Sequence, residues 1–280
     1  MSKILITGAS GNIGTPLVAE LKAQGIDFDV LRSSGAASAG MRVASYDDPA
    51  ALARAFSGID TLFVLLPLVP NKIALAENVV GAAKAAGVGH IVRSSGAGAD
   101  AVSPFALSRL QGTIDGLFNG SGIATTILRP SGFMQNYATH MAEMVRACTV
   151  YTATGDGRHS VIDARDIAAV AAKVLADPAA HRGRTYDLSG SEASTEAERL
   201  AVLSAALGRT ISHAPVSVAD ARDGMLKAGL PPAVVEWLSS LNEVVSQGFA
   251  AGISPDAPRL LGRPSIRFDQ FVTDHLAVWQ

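Results

Sequence analysis

The sequence has a single cysteine, Cys148, so it can form no internal disulfide, and a reducing compartment is expected. Charge is sparse as well. Only 17% of residues are charged, and 23 Lys and Arg against 25 Asp and Glu leave a net charge of −2. A chain this close to neutral is not expected to bind nucleic acid through a broad phosphate-contacting surface. There is no long apolar block. The longest run, TLFVLLPLV at Thr61–Val69, falls well short of the about 20 residues that span a membrane. The start, Met1-Ser2-Lys3, carries one positive charge and too short an apolar run for a secretory leader. The six histidines show no metal-ligand spacing with the acids or with Cys148, so no metal is expected. No Gly-x-Ser-x-Gly nucleophile elbow occurs. These gaps leave a cytoplasmic globular protein as the expectation. With 280 residues, 48% of them hydrophobic, it has ample material for a core and is no disordered chain.

What is present is an alternation. Short β-rich runs are expected as strands at Lys3–Thr7, Phe28–Leu31, Arg42–Ala44, Thr61–Leu66, His90–Ser94 and Thr125–Leu128. Ala-rich runs between them are expected as helices near Asn12–Gln24, Pro49–Phe56, Lys72–Ala86, Pro104–Phe118 and Met134–Val145. The strand runs are continuously apolar, as in strands covered on both faces. Strand–helix–strand order then gives an α/β fold with a parallel sheet and right-handed crossovers. The pattern loosens after about residue 147. Val161–Asp163 reads as a short strand, Asp166–Ala176 as a helix and Thr185–Leu188 as a strand. A helix near Glu196–Leu207 follows, with Thr195 and Glu198 at capping-box spacing. Ile211–Val218 is a further strand candidate, and the tail is helical apart from a Pro/Gly-punctuated stretch at Gly252–Pro264. The expected organisation is a nucleotide lobe over residues 1–147 and a smaller, mostly helical lobe over 148–280 that interleaves with it.

The first strand runs directly into Gly8-Ala9-Ser10-Gly11-Asn12-Ile13-Gly14, and a helix follows. Glycine suits a tight turn, close approach of the backbone to a pyrophosphate, and close packing of helix on sheet. The helix N-terminus adds free N–H groups and partial positive charge. A plain strand–helix turn is the blander reading of the same spacing. The flanking strand and helix favour a nicotinamide dinucleotide held by Gly8, Ser10, Gly11, Asn12 and Ile13. The end of the second strand bears on which one. NAD binders place a carboxylate there for the ribose 2′-hydroxyl. This chain has Arg32, whose guanidinium suits a 2′-phosphate. NADP(H) is therefore expected as the preferred cofactor, with NAD(H) as the alternative, since Asp27 and Asp29 lie just upstream.

Several motifs together resemble one family. TGASGNIG at the loop, HIVRSSGAGA (His90–Ala99), TILRPSGFMQNY (Thr126–Tyr137), VIDARDIAAVAAKVL (Val161–Leu175), TYDLSGSEAST (Thr185–Thr195) and GRPSIRFDQFVTDHLAVW (Gly262–Trp279) follow one another in order. The chain resembles the NmrA-like branch of the atypical short-chain dehydrogenase/reductases, and within it the quinone oxidoreductase and triphenylmethane reductase group. The resemblance implies a Rossmann-type lobe, a substrate cleft against the smaller lobe, and an adenine-facing role for Asp47. Asp47 also reads as a helix N-cap before Pro49. The resemblance further implies that Asp163 and Asp166 cap and anchor a helix.

One departure stands out. The superfamily's catalytic Tyr-x-x-x-Lys falls on the helix around residues 104–118. Aligned on Asp115, Leu107 takes the Tyr position and Gln111 the Lys position. Leucine donates no proton, and glutamine can hydrogen-bond a ribose without charge. The expected substrate is therefore a small molecule that stabilises added electron density itself: a quinone, conjugated enone, iminium ion or cationic dye. A non-catalytic NADP-binding redox sensor is the rival reading, and a monomer or homodimer is expected.

Leu66 and Pro67 at the end of the fourth strand and Ser94 and Ser95 at the end of the fifth are candidate cofactor contacts, with turn or capping roles as the alternative. Phe133, Met134, Asn136 and Tyr137 are candidate walls for an aromatic substrate, against ordinary helix packing. Gln111, Tyr137 and His140 are the candidate catalytic groups. Tyr137 and His140 would share one helix face through their i, i+3 spacing.

Overall fold

The computed structural model describes residues 3–280. In chain order the elements begin β1 Ile4–Ile6, α1 Gly14–Ala23, β2 Phe28–Arg32, β3 Met41–Val43, α2 Pro49–Phe56, β4 Thr61–Val64, α3 Lys72–Ala86, β5 His90–Ser94, α4 Ala106–Asn119 and β6 Ala124–Pro130. They continue as α5 Gln135–Ala138, α6 Ala142–Arg146, β7 Thr149–Thr152, α7 Ala164–Ala176, β8 Thr185–Leu188 and α8 Glu196–Leu207. The chain closes with β9 Ser212–Pro215, α9 Val218–Lys227, α10 Pro232–Ser246, α11 Asp256–Leu261 and α12 Phe268–Asp274. The chain divides into two compact units. One takes the chain up to Ser103, then Ser108–Arg129 and Ile167–Tyr186. The other takes Pro104–Leu107, Pro130–Asp166 and Asp187–Gln280.

The first unit carries the sheet. Seven strands run in the order β3-β2-β1-β4-β5-β6-β8, the Rossmann-type arrangement of a parallel sheet flanked by helices. Ile4, Leu5 and Ile6 on β1 and Leu62, Phe63 and Val64 on β4 are all buried, which is why these strands read as continuous apolar runs. Register fixes the functional edge. Ile6 pairs with Val30 on one side and Phe63 on the other, and Val64 pairs with Arg93. Local chemistry sets the helix ends. Asp48 Oδ1 accepts from Ala51 N at 2.8 Å to start α2, with Pro49 in its first turn. α3 stops at Gly87, which takes the left-handed φ of +72°.

The second unit packs around Tyr137, Val145, Leu203, Phe268, Phe271 and Trp279. Its two strands, β7 and β9, pair in parallel. α8 opens on the expected capping box, with Thr195 Oγ1 accepting from Glu198 N and Glu198 Oε2 accepting from Thr195 N.

Several local expectations are corrected. The helix expected over Met134–Val145 is two short helices, α5 and α6. The break falls at Thr139 (φ −123°, ψ −91°), where Met141 N turns back to Asn136 O. Val161–Asp163 is no strand; it contributes one isolated bridge, Ile162 to Phe133. β7 was not anticipated. α11 forms inside the stretch at Gly252–Pro264 that reads as irregular. β4 ends at Val64 rather than Leu66, because Leu65 N donates to Thr7 Oγ1 at 2.9 Å instead of continuing the ladder.

Candidate cofactor and substrate site

The glycine loop is built around two close approaches. Gly8 has φ +68°, and a Cβ there would lie 2.8 Å from Leu65 Cδ2. A Cβ on Gly14 would lie 2.0 Å from the Gly8 carbonyl oxygen and 2.7 Å from Ala9 Cα. The Gly14 contact holds α1 hard against the turn after β1, and the Gly8 contact holds that turn against the end of β4. α1 has no side-chain cap and no acidic residue in its first turn. Thr15 N and Leu17 N already donate to Gly11 O and Ile13 O, so the loop amides ahead of them and the positive dipole end are what an anion can meet. Ser10 and Gly11 are exposed and Asn12 half-buried. Ile13 is 2% exposed, so only its backbone can meet a ligand.

Arg32 ends β2 two residues beyond Val30, just as Gly8 lies two beyond Ile6, and the two share one edge of the sheet. Arg32 is exposed. Asp29 is tied down nearer the start of β2, where its Oδ2 accepts from Arg42 Nε at 2.7 Å and meets Lys3 Nζ at 3.5 Å. Asp47 is exposed and accepts from Asn71 Nδ2 at 3.0 Å. The cap of α2 is Asp48, so the capping reading of Asp47 is corrected. The Leu66 side chain is buried and Pro67 is exposed, which leaves backbone and ring at that loop to face a ligand.

β5 delivers Ser94, half-buried, and Ser95, whose buried Oγ has no hydrogen-bond partner among the described residues. Beside them, Gln111 Cγ lies 3.6 Å from the Cβ position of Gly96. The Gln111 carboxamide is oriented from below: its Oε1 accepts from Arg93 Nη2 at 2.8 Å, so the two N–H donors are left for another partner. Arg93 is 1% exposed. It is held by Asp115, which also accepts from Arg129 Nε at 3.0 Å, and its guanidinium lies over the Phe118 ring. Burial draws the Arg93 pKa down to about 10, against the pull of Asp115. In the sequence Asp115 is only an alignment mark. An arginine inside the apolar run HIVRS was the clue to a buried ion pair.

The first unit thus gathers Gly8–Ile13, Arg32, Leu66, Pro67, Ser94 and Gln111 at one edge of the sheet. A Cβ-free cradle, an uncapped helix start and an orphaned buried hydroxyl together fit a nicotinamide dinucleotide.

The second-unit candidates scatter. Tyr137 is 3% exposed. Its hydroxyl donates to Glu196 Oε1 at 2.8 Å and accepts from Arg199 Nε at 2.6 Å. Burial and the Glu196 carboxylate push its pKa far above the usual phenol range. Tyr137 is a core residue, not a proton donor or substrate wall. Met134, 2% exposed, is core as well, and both assignments are corrected. His140 lies exposed past the end of α5, so it shares no helix face with Tyr137. Phe133 and Asn136 are half-buried and keep some open surface. Asp163 accepts from Gln135 Nε2 and Arg165 N, both at 2.8 Å. Asp166 accepts from Ile266 N at 2.7 Å and pairs with Arg263. Both acids anchor chain segments. Cys148 is half-buried, in a left-handed conformation at φ 58°. An aromatic pair escaped the sequence reading: Phe249, 68% exposed, has its ring 5.7 Å from Phe105. A cavity of about 600 Å³ near Ser254, Pro258 and Arg263 is lined by none of the predicted site residues. Among the described residues no cluster could hold a metal, and no helix is long and apolar enough to cross a membrane.

The NmrA-like family model matches residues 1–257. The NAD(P)H azoreductase of Xenophilus azovorans is 33% identical over 283 residues, covering 99% of both chains. The NADPH-dependent quinone oxidoreductase of Escherichia coli, solved in complex with NADPH, superposes with a TM-score of 0.84 at 28% identity, covering 98% of this chain and 99% of that one. The triphenylmethane reductase of Citrobacter sp., solved with NADP(H), gives 0.83 at 25% identity, covering 98% of this chain and 100% of that one.

Proposed function

The chain belongs to the NmrA-like family and is an NAD(P)H-dependent reductase; from that premise we propose that it prefers NADPH and reduces a conjugated or aromatic electrophile such as a quinone, enone, iminium ion or cationic dye. The observation that carries the substrate class is the β5 edge. The position of the family's tyrosine is Leu107, and the neighbouring polar group is Gln111, a carboxamide oriented by Arg93. That group can hold a ligand but cannot give a proton at ordinary pH. A simple ketone needs a positioned acid. A quinone or cationic dye delocalises the added electrons itself, and the relatives' names, azo dye, quinone and triphenylmethane reductases, point the same way.

When bound, the nicotinamide supplies the hydride. The residues of this chain position it. The loop amides ahead of α1, apart from that of Gly11, which donates to Gly8 O, take the phosphates. Arg32 takes the 2′-phosphate, which favours NADPH. Gln111 donates its N–H groups beside Ser94, and Ser95 offers its unpartnered hydroxyl.

The test is NADPH consumption, followed by absorbance, against a panel of quinones, azo dyes and triphenylmethane dyes. Oxidation by at least one class is expected. Tight cofactor binding with no oxidation by any acceptor would refute the reductase reading and favour a sensor. Arg32→Ala should weaken NADPH about 10-fold to 100-fold, the worth of a charge-assisted contact, and leave NADH almost unchanged. Equal losses for both cofactors would refute the preference.

A further inference from the structure

Lys72 is the first residue of α3, and only 5% of it is exposed. Its ammonium is placed against physical preference twice. A buried charge is costly without a partner, and the first turn of a helix is the positive end of the dipole. Asp115 draws on it only through space, because both carboxylate oxygens of Asp115 are occupied by Arg93 and Arg129. Burial and repulsion by Arg93 bring its pKa down to about 8 against this weak attraction, and no hydrogen bond counts among the influences. A methionine in this position would pack without any of these costs.

Its place in the fold suggests what completes it. The loop between β4 and α3 leaves the sheet at Leu65, whose side chain borders Gly8. Val64 is level with Arg93, so the same loop departs beside Ser94. Asn71 Nδ2, donating to Asp47 Oδ1, ties the start of α3 to this edge. Lys72 therefore stands where β4 and β5 end, on the sheet edge that carries the glycine loop. On α4, the lysine position of the family pattern holds uncharged Gln111.

We propose that Lys72 is a cofactor-binding residue whose ammonium takes an oxygen of the nicotinamide-side ribose–phosphate of NADP(H), supplying the cation that α4 lacks. The proposal rests on the cofactor reading above. It also explains the energetic penalty: the charge is held ready for a ligand rather than for the fold.

Two ligands separate the halves of the cofactor. NADPH carries the nicotinamide side, and adenosine 2′,5′-bisphosphate does not. Their affinities are measured by calorimetry on the wild type and Lys72→Met, together with melting temperatures without ligand. Lys72→Met is expected to weaken NADPH about 10-fold or more. Its affinity for the adenosine bisphosphate should stay within twofold, and its unliganded melting temperature should not fall. Unchanged NADPH affinity, or an equal loss for both ligands, overturns the proposal. Lys72→Gln is read by the same criteria if the methionine variant does not fold. Wild-type protein that binds neither ligand would refute the cofactor reading itself, and this proposal with it.

Discussion

Adding one methyl group at Gly14 should dismantle the site. A carbon–oxygen contact is comfortable at about 3.3 Å, and a Cβ on Gly14 would stand 2.0 Å from the Gly8 oxygen. Loop and helix must then part by about 1.3 Å, the shortfall against that contact distance. The helix has little freedom to give way, because Leu17 and Leu21 on α1 are fully buried and Ile13 is 2% exposed. The displacement falls on Gly8–Ile13, the backbone that would cradle the phosphates. Overpacking of this kind costs about 1–3 kcal/mol, or a drop in melting temperature of roughly 2–10 °C for a chain of this size. A misplacement on the order of 1 Å can lower turnover about 100-fold. Gly14→Ala is therefore expected to lose both stability and NADPH-dependent turnover, read by thermal unfolding and by NADPH oxidation. Gly11→Ala is the control. Its Cβ would meet the Gly8 oxygen at 3.5 Å, an ordinary contact, so its melting temperature should match the wild type. A Gly14→Ala protein with wild-type melting and wild-type turnover would refute the account of the loop.

Two further outcomes follow from buried groups. Tyr137→Phe removes the hydroxyl between Glu196 and Arg199 and should cost about 1–3 kcal/mol of stability with turnover per folded molecule unchanged; loss of turnover at full stability would return Tyr137 to the active site. His90, 3% exposed, has its pKa brought down to about 4, chiefly by burial and further by Arg182 and His181. Unfolded, the imidazole takes a proton near 6.5; folded, only near 4. Its stabilising contribution is complete above pH 6.5 and is lost as pH falls toward 4, amounting to roughly 3 kcal/mol. His90→Gln should flatten that acid limb in urea unfolding measured from pH 7 to 4, and an unchanged slope would count against it.

The sheet was legible because its strands are buried on both faces. Runs such as Ile4–Ile6 and Thr61–Val64 need no tertiary knowledge to be read, and Pro49 and Gly87 punctuate the helices between them. The glycine loop was legible for a local reason too, since its spacing and the close approach of Gly14 to Gly8 lie within one short stretch of chain; the Gly8 contact with Leu65 is the distant one. The second unit was not. β7 is four residues long, and its partner β9 lies far along the chain, so its pairing energy has no local sign. Tyr137 read as a site residue because its sequence neighbourhood looks catalytic. The Glu196 and Arg199 that seal it come from α8. Lys72 read as an ordinary helix residue, because burial of a lysine leaves no mark in sequence.

The strand order also has a consequence for synthesis. β8 joins the sheet beside β6, yet it is translated only after α5, α6, β7 and α7 have emerged. Until Thr185–Leu188 leave the ribosome, the growing chain presents β6 as an open strand edge, its backbone donors and acceptors free to pair with another nascent copy. A termination product ending near residue 150 would keep the whole glycine loop and still carry that edge, which makes it a candidate for chaperone capture or aggregation rather than a miniature cofactor-binding domain.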